Sequence, residues 1–73
     1  MKKGSRVYVV WEDIQASLHS EERIEPVRAE VCGWVESDTS KYLRLATCRY
    51  MDGSELKDRI VLPKGCVVSM EEI

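Results

Sequence analysis

The longest uninterrupted apolar stretch in this 73-residue chain is Val7-Tyr8-Val9-Val10-Trp11. A helix that crosses a bilayer needs roughly 20 apolar residues, so no membrane span is expected. Met1-Lys2-Lys3 makes a basic start. The apolar run after it is too short for a secretory signal, and it is closed by Glu12-Asp13 rather than a small-residue cleavage site. A cytoplasmic location follows as the expectation. Cysteines number three, Cys32, Cys48 and Cys66, with no CxxC spacing among them. An odd, scattered set suits neither a disulfide framework nor a zinc ribbon, and adding His19 gives no recognisable ligand spacing. Reduced thiols that pack as small hydrophobes, with no metal and no cofactor, are expected.

Charge of one sign is also missing. Eleven basic residues against 13 acidic ones leave a net charge of -2 and a pI near 5.4. General attraction to phosphate is therefore weak, which ranks nucleic acid below protein as a partner. Convergent catalytic groups are absent as well. Glu21, Glu22 and Glu25 crowd one polar segment that reads as a solvated face. His19 has no cysteine or serine that spacing places beside it. No enzyme is expected.

What is present is the balance of a single folded domain over 1–73, with 44% apolar and 33% charged residues. A chain of this size buries only about 60% of its unfolded surface, so the margin of stability is thin. Residues 6 to 12 are rich in β-branched and aromatic side chains and read as a first strand. Ser17 to Pro26 is polar and acidic and reads as a long loop with at most one or two helical turns. Val27, Ala29, Val31 and Val35 then alternate with polar residues, with Gly33 on the same face, and Tyr42 to Tyr50 alternates again. Between these runs, Ser37-Asp38-Thr39-Ser40 gathers four turn formers.

Asp52-Gly53 is the sharpest local signal, because a two-residue type I′ loop needs positive φ at both positions. With Met51 and Ser54 flanking it, Leu45 falls opposite Ile60 and Leu43 opposite Leu62. A three-residue loop at Asp38 to Ser40 places Val35 opposite Leu43 and Gly33 opposite Leu45. Pro63-Lys64-Gly65 then interrupts the chain before a last strand with Cys66, Val68 and Met70 on one side. The expected core is Val7, Val9, Val31, Leu43, Leu45, Ile60, Leu62 and Val68.

Five short strands with one long early loop and a brief turn before the fifth are the order of a Src-homology-3-like barrel. The segment Leu62-Pro63-Lys64-Gly65-Cys66-Val67-Val68 resembles the helical turn and last strand of those domains, and Val10-Trp11-Glu12-Asp13 resembles their opening motif. Peptide-binding members carry a tyrosine-rich opening, a tryptophan starting the third strand and a tyrosine after the proline turn, and this chain has Trp11, Tyr42 and Cys66 in those places, so the resemblance implies the fold without the proline-ligand groove. Trp11-Glu12-Asp13, Cys32-Gly33-Trp34, Lys41 to Ala46 and Pro63-Lys64-Gly65 together are similar to small uncharacterised proteins of bacteria and their phages. That likeness implies a stand-alone barrel. The fold expectation is thus all-β: a small, five-stranded, antiparallel Src-homology-3-like barrel with a long loop between the first two strands.

The same registers align Trp34 with Arg44, Glu36 with Tyr42, and Arg28 with Tyr50 on the outer face. The commoner use of such an aromatic and basic strip is structural, as cation–π packing. Its functional reading is a noncatalytic binding surface of Trp34, Tyr42, Arg44 and Tyr50 for a protein partner. The alternative is single-stranded nucleic acid, stacked on those aromatics and held by Arg28, Arg44, Arg49 and Arg59.

Overall fold

In a computed structural model, which describes residues 1–13 and 27–73, the chain forms one antiparallel sheet of five strands. These are β1 (Arg6–Asp13), β2 (Val27–Asp38), β3 (Tyr42–Arg49), β4 (Leu56–Pro63) and β5 (Val67–Glu72). A 3-10 turn, Lys64–Cys66, joins the last two. Strand order across the sheet is β4-β3-β2-β1-β5. The expected loop over 17–26 lies outside the described residues.

The sheet is open, which corrects the expectation of a barrel. The two ends of the order, β4 and β5, are not paired with each other. After Pro63 the 3-10 turn sends β5 onto β1, with Val67 opposite Trp11 and Met70 opposite Val9, so the chain does not double back along β4. The core sits on one face. Val7, Val9, Val35, Leu43, Leu45 and Leu62 are buried, and Trp11, Val31, Ile60, Val67 and Met70 pack against them. Each fully buried aliphatic side chain contributes on the order of 2 kcal/mol.

The β3–β4 register is as the alternation requires, with Leu43 opposite Leu62 and Leu45 opposite Ile60. Its turn is longer than a type I′ pair. Tyr50 N–H donates to Glu55 O, leaving four residues outside that bond, and only Gly53 has positive φ, at 77°. Asp52 instead accepts the Ser54 N–H at 2.8 Å through Oδ1. Both loops are even-membered and centred on Asp52-Gly53, which is why the register survives the change.

Between β2 and β3 the expected pairing is displaced. Val35 lies opposite Leu45 and Trp34 opposite Ala46, and the register then shifts across Glu36, so that Ser37 meets Arg44. The turn is anchored by Thr39, whose Oγ1 accepts the N–H groups of Lys41 and Tyr42. A second bulge corrects the assignment of β5. Val10 pairs with Ser69 and Trp11 with Val67, so Val68 is the extra residue. It is 44% exposed, while Val67 and Met70 take the core positions. Gly33 sits where β2 leaves β3: a Cβ there would stand 2.6 Å from the carbonyl oxygen of Ala46.

Candidate functional site

The four outer-face residues read from the sequence do not form one strip. Trp34, opposite Ala46 and not Arg44, lies under two other guanidinium groups, with Arg49 Cζ 4.8 Å and Arg6 Cζ 5.6 Å from its ring centroid. Sequence reasoning missed both partners. Arg6 is directly opposite Trp34 on β1, and the displaced β2–β3 register hides Arg49. Tyr50 is likewise covered by a cation, with Lys57 Nζ 4.9 Å from its ring. Cations on both aromatics reduce the ring surface left for a stacked base.

Tyr42 and Arg44 lie at the other end of β3, opposite Pro63 and Val61 of β4. This corner is exposed and apolar: Val61 is 55% and Tyr42 40% exposed, and Pro63 is exposed beside them. Glu36, the residue at the β2 bulge, reaches the same face. Its Oε1 is 2.9 Å from Arg59 Nε and its Oε2 is 3.9 Å from Arg44 Nε. Oε1 is buried, and its contact with Arg59 is an ion pair without hydrogen-bond alignment. Among the described residues, one carboxylate thus faces two arginines, on a surface with exposed aliphatic groups. Glu36 was read only as a partner for Tyr42, because a bulge leaves no trace in period-two alternation.

Along β4 the corner opens into a groove of about 260 Å³ between Trp11-Glu12-Asp13 at the end of β1 and Ile60 to Pro63 of β4, lined also by Cys66. Arg28 pairs with Glu12 at 3.5 Å, well away from Tyr50, with which it was expected to align. Of the thiols, Cys32 is exposed on β2 and departs from the buried role expected of it, while Cys48 and Cys66 are half-buried. His19 lies outside the described residues, among which no three His, Cys, Asp or Glu side chains converge on a common metal position.

Among the described residues, three titratable groups are shifted. Tyr8 donates its hydroxyl to Glu30 Oε2 at 2.5 Å, which holds the phenol above its usual value. Asp38 is held below the usual carboxylate range, first by hydrogen bonding to Lys64 and then by the Met1 amino group, 2.6 Å from Oδ2. Asp52 is lowered by the hydroxyl and N–H of Ser54. These are anchoring pairs on different elements and do not converge on one reacting position.

The geometry therefore defines an all-β protein of five antiparallel strands with an exposed apolar and basic corner beside a groove. No family model, no curated protein and no solved structure matches the chain.

Proposed function

We infer that the protein is a noncatalytic protein-interaction module, working in the cytoplasm, on a Src-homology-3-like arrangement left open between β4 and β5, the two ends of the sheet. The fold reading is supported by the meander order and by the 3-10 turn before the last strand. The observation that carries the function is the continuity of exposed Tyr42, Val61 and Pro63 with the groove lined by Trp11, Ile60 and Leu62. Contiguous apolar surface rimmed by charge is the usual mark of a protein contact. Tyr42 and Arg44 stay in the binding surface, whereas Trp34 and Tyr50 act structurally beneath their cations.

Nucleic acid is the second reading, favoured by the basic rim. Against it, Arg44 and Arg59 share Glu36 and Arg28 is paired with Glu12, which lowers the charge free to meet phosphate. The test is capture from the native cytoplasm by three folded proteins: wild type, Tyr42→Ala/Val61→Ser, and Trp34→Ala. The double variant should lose a captured protein that the others retain after nuclease treatment. Retention by the double variant would remove this corner, and loss on nuclease treatment would make nucleic acid the partner.

A further inference from the structure

We propose that β4 binds its partner by strand addition, taking up an extended segment with a carboxylate beside Arg59 and apolar side chains beside Ile60 and Val61. This rests on the protein-interaction reading and names its geometry and partner chemistry. Among the described residues β4 ends the strand order, with β3 on one side only. An edge strand presents backbone donors and acceptors that an incoming strand can pair.

The usable stretch is short and bounded. Asp58 has a left-handed φ of 57°, which breaks the regular extended backbone on one side. Pro63 has no N–H to offer on the other. Between them, Arg59 and Val61 point to the outer face, opposite Ala46 and Arg44, while Ile60 and Leu62 point inward and line the groove. A strand laid along this edge must show the same alternation. Its residue beside Arg59 meets the arginine pair that shares the single carboxylate of Glu36, and an acidic side chain there completes the charge balance. Its residue beside Ile60 enters the groove and its residue beside Val61 lies on an exposed aliphatic surface, so both are apolar. Lys57-Asp58-Arg59 places charges at the start of the edge, which opposes pairing with a purely apolar strand.

The test is titration of the ¹⁵N-labelled chain with blocked hexapeptides whose centres are Glu-Val-Val or Val-Val-Glu, covering both strand directions. One of them should shift Arg44 and Arg59 to Leu62. Replacing its Glu by Lys should weaken binding by about tenfold, the scale of one charge-assisted contact. In Arg59→Glu that preference should reverse. Methylating the peptide's alternate backbone nitrogens, in the phase facing β4, should abolish binding. Unchanged binding of the methylated peptide would overturn strand addition while leaving the interaction surface intact. Shifts confined to the Trp34 or β5 regions, or none from either peptide at millimolar concentration, would overturn the site. In those cases the capture experiment on Tyr42→Ala/Val61→Ser still decides the broader reading. Oligothymidine shifting the same residues with steep salt dependence would overturn both.

Discussion

At the scale of single residues, the glycines separate two physical effects. Gly33 is buried, and a methyl group there meets a backbone carbonyl that cannot swing away. Gly33→Ala should therefore destabilise by about 1–3 kcal/mol in urea unfolding, the range for overpacking. At Gly53 a side chain meets nothing within 4 Å, but φ is 77°, so Gly53→Ala should cost about 1 kcal/mol from backbone strain and Gly53→Asn less. Gly65 has open space and no such φ, which makes Gly65→Ala the neutral control. Asp38 sets a pH dependence. Its folded-state carboxyl is more acidic than the unfolded one because Lys64 and the amino group favour the charged form. The stability it adds is complete above the unfolded carboxylate range and disappears as pH falls through the lower folded value. Asp38→Asn should accordingly flatten the acid limb of a Tm-against-pH profile, and an unchanged limb would place that dependence elsewhere.

Elements show which parts of the fold alternation can carry. Leu43, Leu45, Ile60 and Leu62 are symmetric about Asp52-Gly53, so one turn and one apolar face suffice to read the β3–β4 register correctly. Bulges defeat the same reasoning, since one extra residue displaces everything beyond it without altering composition. The β2–β3 turn closes at Thr39 and Tyr42 rather than over Asp38 to Ser40, which sets Arg44 opposite Ser37, and the bulge at Glu36 then leaves Trp34 opposite Ala46, so the expected strip is dispersed; the bulge at Val68 puts Val67 in its place on the core face, while Met70 keeps the side expected of it. Ion pairs such as Glu36 with Arg59 join residues far apart in sequence and became visible only once the strands were aligned. The β5 correction has a direct check. Val68→Ala should stay within about 0.5 kcal/mol of wild type, as for exposed positions. Met70→Ala, packed on the core, should cost about 2 kcal/mol. The opposite ranking would restore Val68 to the interior.

For the whole molecule, the decisive question is how an open sheet keeps its two ends together while leaving one edge available. Described residues carry balanced charge: Glu21, Glu22 and Glu25, offset by Arg23, account for the net -2 and all fall within 14–26. Net charge over the described residues thus gives no overall pull on the sheet, and apolar contact is the visible link between β1 and β4. Trp11 is placed for that role, since it pairs with Val67 after the 3-10 turn, packs on the core and forms the groove wall facing Ile60 and Leu62. Half-buried, it contributes less than a fully interior tryptophan, so Trp11→Ala should destabilise by about 2 kcal/mol, a large part of the stability a domain this small has. Val61, more than half exposed, supports no such bridge, and Val61→Ser should leave unfolding within about 0.5 kcal/mol of wild type. Partner binding should respond differently. Both substitutions should weaken it, because one removes a wall of the groove and the other the aliphatic surface beside it, but only Trp11→Ala should also lower the unfolding midpoint. If Trp11→Ala bound normally while losing stability, the tryptophan would be a structural bridge alone and the binding surface would shrink to Tyr42, Arg44, Arg59 and Val61.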